Sequence, residues 1–318
     1  MKHNLKITFI LLAMFLVTQF IGLAVLKADI FHLEMQNPDG TTESVPNPYL
    51  SWIQPPEIEN QTQSASMFGQ IILAFMMAIF LMFLLSKFKV EFFLKLWFFV
   101  VVIVALFLCF YAFEKLVPFM IPLKYSLVIP LIIAIPLAFV KIYRKQFLVH
   151  NLTELLVYPG ISVVFIPLLN IYTMIILLIL ISIYDAWAVW HSGFMQKMAK
   201  YQIEKLQIFS GFFVPYASKK TKDKIQKWKE TLPKSELIKK KIKVNMAILG
   251  GGDVIFPIIT AGVFYNAYGL AHALSVTAGA TLGLTYLFFF AEKKKFYPAM
   301  PFITAGMFLG IALAFLIF

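Results

Sequence analysis

Long runs of apolar residues, separated by short polar stretches, dominate the chain. They lack the strict alternation of a membrane β-barrel, and most approach the roughly 20 apolar residues that a helix needs to cross a bilayer. Nine such runs can be placed, at residues 7–26, 68–86, 92–113, 125–140, 152–169, 171–190, 244–265, 270–290 and 297–318. The pattern therefore predicts an all-α polytopic membrane protein, with nine transmembrane helices in a single membrane domain over residues 1–318.

Two features of this pattern are ambiguous. Residues 155–183 are almost continuously apolar, and at about 1.5 Å per residue they would exceed one bilayer, so we divide them at Pro167 and Asn170. The first run follows Lys2 and Lys6, as in a signal peptide, but it is longer than the usual apolar core of about 7–15 residues. We therefore expect a retained first helix.

Composition and charge support this organisation. With 60% hydrophobic and 14% charged residues, the chain is unlike a soluble domain, of which about 25% is charged. All basic residues except Lys27, Lys115 and Lys124 fall on one side of the nine-helix arrangement. Since cytoplasmic loops carry the excess of Lys and Arg, we predict a cytoplasmic N-terminus, an external C-terminus and an external loop at residues 27–66. The single cysteine, Cys109, excludes an intrachain disulfide.

The net charge of +12 does not indicate nucleic-acid binding. Much of it lies in a basic cytoplasmic loop at residues 191–243, which holds fourteen Lys but almost no Arg. We interpret this loop as an orientation determinant that contacts anionic lipid headgroups. The lipid bilayer is therefore an expected partner, and nucleic acid is not.

Acidic residues inside the apolar runs are few. A carboxylate in the hydrocarbon region is costly, so it is a functional candidate by default. Only Asp185 and Asp253 lie well inside predicted helices. Glu154 lies near a predicted helix start, where a carboxylate stabilises the helix N-terminus, and we expect a structural role for it. The two aspartates occupy consecutive helices of opposite direction, roughly 9 and 15 Å from the cytoplasmic edge, so they can meet.

Two carboxylates that meet in a low-dielectric site cannot both ionise, so the pair shares one proton. This is the arrangement of an aspartic protease. The ionised member takes a proton from water, and the protonated member polarises the carbonyl of the scissile peptide bond. The chemistry needs no metal, no cofactor and no covalent nucleophile.

The sequences around both aspartates resemble those of a known family. Tyr184-Asp185 and Gly250-Gly251-Gly252-Asp253 resemble the YD and GxGD motifs of the presenilin and signal peptide peptidase family of intramembrane aspartyl proteases. A third segment, Pro298-Ala299-Met300-Pro301, resembles the family's PAL motif. The three motifs occur in the family's order, on the sixth, seventh and ninth helices. The resemblance implies that Asp185 and Asp253 are catalytic. It also implies that the other motif residues bind substrate or shape the active site: Tyr184, Gly250, Gly251, Gly252, Pro298, Ala299, Met300 and Pro301.

The resemblance further implies a multi-pass protein of the cell membrane, with transmembrane segments of proteins or signal peptides as substrates. No obligatory protein subunit is expected, and homo-oligomerisation stays open. The chain looks most like an archaeal presenilin homologue, acting as one uncut chain. Gly251 and Met300 depart from the usual motifs, which affects the substrate preference rather than the chemistry.

A transmembrane substrate must unwind locally before hydrolysis, because its peptide bonds are hydrogen-bonded within the helix. The resemblance implies that the unwound segment is held in extended form by strand addition. We expect the residues that pair with this substrate strand to lie near Lys243 and just before Pro298.

Other functions must be weighed against proteolysis. Paired intramembrane acids also serve proton- or ion-coupled transporters and ion-leak channels. Many transporters show inverted repeats, and we find none, but this alternative stays open. Ser210-Gly211 and His272 do not form a rhomboid-like serine site, and the dispersed histidines form no H-E-x-x-H metal motif. A prepilin-type peptidase would leave the Tyr-Asp and Pro-Ala-Met segments unexplained.

Overall fold

The computed structural model describes residues 5–37, 39–56, 60–85, 91–117, 123–144, 146–192, 210–216, 245–292 and 297–318. Its helices are α1 Leu5–Lys27, α2 Gln61–Leu85, α3 Glu91–Leu116, α4 Leu123–Ser126, α5 Val128–Tyr143, α6 Phe147–Phe165, α7 Ile171–Trp187, α8 Gly251–Tyr268, α9 Leu270–Phe290 and α10 Met300–Ile317. Two antiparallel hairpins accompany them, β1 His32–Gln36 with β2 Thr42–Pro46 and β3 Gly211–Tyr216 with β4 Asn245–Gly250.

Seven helices in the described part of the chain are long and apolar enough to cross a membrane. They are α1, α2, α3, α6, α7, α9 and α10. Helix α5 is apolar but has only 16 residues, about 24 Å at the usual rise of an α-helix. Helix α8 is not one of the seven. It carries three glycines, Asp253 and Asn266 among its 18 residues, and it is buried from Pro257 to Phe264, where its neighbours are helices of the same chain rather than lipid.

The break between α6 and α7 lies where the sequence predicts it. Helix α6 ends in a 3₁₀ turn at Ile166–Leu168 that contains Pro167. Asn170 then begins α7 with a capping box, in which its side chain accepts from the Thr173 N–H and the Thr173 side chain accepts from the Asn170 N–H. Asn170 also donates to Ser64 Oγ of α2 at 2.6 Å. Because both ends of the break are satisfied by local hydrogen bonds, the apolar run does not continue as one helix.

Two hydrophobic clusters organise the bundle. The larger joins α1, α6, α7, α8, α9, α10 and both strands of the β3–β4 hairpin, and the smaller joins α3, α5, α6 and the end of α1. Helix α1 contributes to both clusters and packs against α8, where Gly22 lies directly against Ile258. The Gln19 side chain donates to the Val254 carbonyl at 3.1 Å. Helix α1 therefore supports the start of α8, the part that carries Asp253.

Helices α9 and α10 pack through glycines. A Cβ atom at Gly279 or Gly306 would collide with the backbone of the opposite helix, because each glycine faces the other's helix at close range. Small residues at such an interface let two membrane helices approach closely. The close packing fixes the start of α10, and with it the segment from Pro298 to Met300.

Two expectations from the sequence differ from the structure. Residues 244–265 were expected to form one helix, but Asn245–Gly250 is strand β4, and helix α8 begins at Gly251. Three consecutive glycines disfavour a helix, so pairing with β3 prevails. Glu154 was expected in a first helical turn. Helix α6 begins earlier, at Phe147, and Glu154 is buried in its middle, where Lys141 rather than the helix terminus balances its charge.

Most of the predicted basic loop lies outside the described residues, including 193–209 and 217–244. So does 293–296, the segment expected before Pro298, and so does Lys243. The described residues of the loop are His191 and Ser192, at the end of the helix before it, and Ser210 with strand β3. The apolar residues of β3 contact the helical bundle, and Phe212 is completely buried.

Candidate active site

Asp185 lies in the last turn of α7 and is buried. Its Oδ2 accepts a hydrogen bond from the Met300 N–H at 3.0 Å, and the Ala299 backbone also bonds to the carboxylate. One turn before it, Ser182 Oγ lies 2.8 Å from Thr304 Oγ1 of α10. These contacts join the end of α7 to the start of α10. After Trp187 the chain continues as a π-helical turn, Ala188–Ser192, a feature frequent at functional sites.

Asp253 is the third residue of α8, directly after the strand. Gly250 is the N-cap of the helix in extended conformation, and its backbone bonds to the Asp253 carboxylate, which folds back over Gly250. This is the return half of a capping box, in which the third residue satisfies the free N–H of the cap. A carboxylate in the first turn is also favoured by the helix dipole. The start of α8 therefore holds the Asp253 side chain in place.

The two aspartates approach each other where α7, α8 and α10 meet. These three helices contact one another pairwise, and the carboxylates are close enough for their charges to interact. The structure thus brings together Asp185, Asp253, Gly250 and Met300 from segments far apart in the sequence.

The three glycines before Asp253 have different surroundings. A Cβ at Gly250 would meet the Asp253 carboxylate at 3.1 Å, and one at Gly251 would meet Ser210 Oγ at 2.9 Å and the Tyr158 ring and hydroxyl at 3.1 Å. Among the described residues, a Cβ at Gly252 would meet only the Phe256 ring, at 3.8 Å. Gly251 is therefore enclosed by the bundle, whereas the described part of the chain leaves space at Gly252, beside Asp253.

The remaining motif residues lie next to Asp185 in α7 or at the start of α10. Pro298 and Met300 are buried, and Ala299 and Pro301 are half-buried at the start of α10. Tyr184 is half-buried, and its ring contacts Trp187 with the centroids 6.5 Å apart. Its hydroxyl is close enough to interact electrostatically with Asp185. No group of three or more His, Cys, Asp or Glu side chains in the described part of the chain is placed to hold a metal ion.

Sequence reasoning missed several polar residues near the site. Tyr158 of α6 faces Gly251 and Ser210 and interacts with Asp253. His150 and Asn151 of α6 bond to the backbone of β3. In the sequence, His150 and Asn151 are polar residues at the edge of an apolar run, a pattern that an ordinary helix terminus also shows.

The fold occurs in solved structures of other proteins. A solved structure of a presenilin family intramembrane aspartate protease, in space group C222, matches with a TM-score of 0.60 at 15% identity, over 98% of this chain and 99% of that chain. A second structure of a protease of that description, in space group P2, matches with a TM-score of 0.58 at 16% identity, over 97% of each chain. At these identities the likeness shows the fold, which is that of an intramembrane aspartyl protease.

A sequence model of the family described as "Signal-peptide peptidase, presenilin aspartyl protease" matches residues 50–318. The chain therefore belongs to the signal-peptide peptidase and presenilin family of aspartyl proteases, and it is a hydrolase and a multi-pass integral membrane protein. No curated protein sequence matches the chain. The match confirms the resemblance to this family, and it supports proteolysis over ion transport.

Proposed function

We propose that Asp185 and Asp253 form a catalytic dyad that hydrolyses peptide bonds within transmembrane segments. The observation that carries this proposal is that the buried Asp185 and the half-buried Asp253 lie close enough for their charges to interact, at the junction of α7, α8 and α10. Two such groups cannot both ionise in a low-dielectric site, so the dyad holds one proton and titrates as a unit.

The reaction follows from the shared proton. The ionised carboxylate removes a proton from a water molecule, and the hydroxide adds to the carbonyl carbon of the scissile bond. The protonated carboxyl donates its proton to the carbonyl oxygen, so a neutral tetrahedral diol forms. The proton held by the first carboxylate then passes to the amide nitrogen as the C–N bond breaks, leaving a carboxylic acid and an amine. The second carboxyl recovers its proton from the diol, and the dyad returns to its starting state.

Backbone groups keep the dyad in place during these steps. Met300 and Ala299 donate to Asp185, and Gly250 donates to Asp253. Such donors are rigid, because each belongs to the start of a packed helix. Preorganised positioning of this kind contributes to catalysis by reducing the reorganisation needed in the transition state.

The proposed arrangement in the membrane has nine spans, in which α5 and α8 join the seven apolar helices. The dyad lies at the end of the bundle where α5 finishes with Lys141 and Arg144. Lys27, Asp29 and the β1–β2 hairpin mark the opposite end. Since basic residues mark the cytoplasmic side, the proposal puts the dyad near the cytoplasmic face, the N-terminus in the cytoplasm and the C-terminus outside.

The β3–β4 hairpin supplies the proposed site for an unwound substrate. In β3 the backbone groups of Gly211 and Phe213 bond to side chains of α6, so that edge is occupied. The other edge belongs to β4, whose Met246 and Ile248 side chains are exposed. An extended peptide added to this edge would run alongside the strand that leads directly into Gly250 and Asp253.

The test of the dyad is cleavage of a single-span substrate in reconstituted vesicles. We expect wild type to cleave and both Asp185→Asn and Asp253→Asn to lose at least about a thousandfold in rate, because neither amide can serve as base or acid. Both variants should fold, since a neutral amide costs less to bury than a charge. Glu114→Gln, an acid at the far end of α3, is the matched control. Undiminished cleavage by either Asp variant would refute the dyad.

A further inference from the structure

Four polar side chains are buried together where α5 and α6 meet the β3–β4 hairpin. Lys141, His150, Asn151 and Glu154 are each less than a tenth exposed, and we refer to them as the buried polar cluster. Lys141 Nζ lies 2.6 Å from Glu154 Oε1, and His150 Nε2 lies 3.5 Å from the same oxygen. Burial of charged groups is costly unless they are paired, so this cluster needs an explanation beyond helix packing.

The cluster bonds to the backbone of β3 at two alternate residues. At Gly211, the N–H donates to Glu154 Oε1 at 3.4 Å, and the carbonyl oxygen accepts from His150 Nε2 at 2.9 Å. At Phe213, the N–H donates to Asn151 Oδ1 at 3.1 Å, and the carbonyl oxygen accepts from Asn151 Nδ2 at 2.9 Å. The side chains of α6 thus bond to both backbone groups of each residue, as a neighbouring strand would.

This pairing determines how β4 is oriented. In an antiparallel ladder, opposed residues either exchange both hydrogen bonds or both turn them outward. Gly211 and Phe213 direct theirs to α6, so their partners Gly250 and Ile248 also turn their N–H and C=O groups away from β3. Gly250 follows this rule, because its N–H serves the Asp253 carboxylate.

Pro215 agrees with the same alternation. It is two residues beyond Phe213 in β3, so its nitrogen also faces away from β4. Proline has no N–H and is tolerated in a strand where no ladder bond is needed. The register of the hairpin therefore directs the N–H and C=O groups of Ile248, which lies two residues before Gly250, away from β3.

We propose that the buried polar cluster is a positioning device that closes the β3 edge and directs an unwound substrate to the β4 edge, thereby setting which peptide bond reaches the dyad. This inference rests on the function proposed above. None of the four side chains is assigned a contact with the reacting atoms. They act through the hairpin, by holding β3 at a fixed distance from α6 and so holding Gly250 beside Asp253.

The test replaces the side chain that pairs with Phe213. Asn151→Leu keeps the side-chain size and the Lys141–Glu154 ion pair but loses both bonds to β3. We expect kcat/KM for a single-span substrate to fall about tenfold, as for the loss of two hydrogen bonds. Mass spectrometry of the products should show cleavage spread over several neighbouring bonds rather than the wild-type position. A purely structural role would lower the yield of active protein without moving the cleavage site.

Thr153→Val is the matched control. Thr153 is buried on the same helix, but among the described residues its hydroxyl bonds only to the carbonyls of Val149 and His150. We expect wild-type cleavage sites and rates. Hydrogen exchange of the full chain in vesicles adds a readout independent of proteolysis. The peptide covering 211–216 should exchange faster in Asn151→Leu than in wild type, and at the wild-type rate in Thr153→Val.

The outcomes separate this inference from the proposed function. If wild type does not cleave, the proposed function fails, and hydrogen exchange still decides whether Asn151 holds β3. If Asn151→Leu shows the cleavage sites and the hydrogen exchange of wild type, the positioning role of the cluster is overturned, and the proposed dyad is unaffected. Should Asn151→Leu not fold, Asn151→Asp decides, because it keeps the acceptor for the Phe213 N–H and loses the donor. Unaltered cleavage sites in that variant overturn the inference, and a spread of sites supports it.

Discussion

Gly251 and Gly252 are adjacent in the chain but differ in what a side chain would meet. Gly251 is buried, and a Cβ there would press on the Tyr158 ring and on Ser210. Gly252 is exposed, and a Cβ there would have ordinary contact with Phe256 alone among the described residues. Gly252 precedes Asp253 directly, and we propose that a substrate backbone approaches the dyad through the space that the described residues leave beside it.

The two glycines therefore predict different effects of alanine. Gly251→Ala should lower thermal stability, because Tyr158 is enclosed and cannot move away, and the cost is typically about 1–3 kcal/mol for overpacking. Gly252→Ala should leave stability unchanged or slightly raised, because alanine favours a helix, while lowering kcat/KM about tenfold by obstructing the substrate. Thermal unfolding in detergent and cleavage in vesicles measure the two effects. Wild-type cleavage by Gly252→Ala would contradict a role for this space.

At the scale of elements, the two sides of strand β4 differ in what their backbone groups meet. On one side, its backbone groups hydrogen-bond to β3. On the other side, the N–H and C=O groups of Ile248 face away from the hairpin, as the register requires. Alternation along the strand means that Ala247 must point its backbone groups toward β3. Adjacent residues of β4 therefore differ: the backbone groups of Ala247 hydrogen-bond within the hairpin, and those of Ile248 are the ones that we propose bond to a substrate.

Proline substitution distinguishes the two edges of β4. Ile248→Pro removes an outward N–H, so the fold should persist, and kcat/KM should fall about tenfold through the loss of one bond to the substrate strand and some local strain. Ala247→Pro removes a bond of the ladder and should lower the unfolding temperature by several degrees. Both effects can be followed by thermal unfolding and by product analysis. If Ile248→Pro cleaves at the wild-type rate, the substrate does not use this edge.

At the scale of the whole molecule, the proposed orientation puts the β1–β2 hairpin outside and the end of α5 inside. Thr41 and Arg144 are exposed at these two ends. Cys109, the single native cysteine, is completely buried, so it should contribute little background to thiol labelling.

Labelling of single cysteines tests the orientation. Thr41→Cys should react with a membrane-impermeant maleimide in intact cells, whereas Arg144→Cys should react only after permeabilisation, because charged reagents do not cross the bilayer. Wild type, with Cys109 alone, is the control for background. Labelling of Arg144→Cys in intact cells, with Thr41→Cys protected, would show the opposite orientation.

How far the sequence predicts the fold can be judged from particular helices. Helix α9 covers the same residues, 270–290, as the predicted span, because a long apolar run bounded by polar residues has one favourable conformation in a membrane. Helix α8 begins later than predicted, because strand β4 is formed by pairing with β3, and the paired residues are 29 to 39 positions apart in the sequence. Hydrophobic pattern records local burial and contains no information about such a partner.

The sequence by itself determined the membrane class, the interruption at Asn170 and the two aspartates, since burial of apolar groups and the cost of a buried charge depend on residue type and local pattern. Only the tertiary structure decided that Met300 donates to Asp185, that Gly251 is enclosed by Tyr158, and that Glu154 pairs with Lys141 beside β3 rather than capping its helix. These contacts join residues distant in the chain, and their hydrogen bonds depend on distances and angles that arise only when the helices pack.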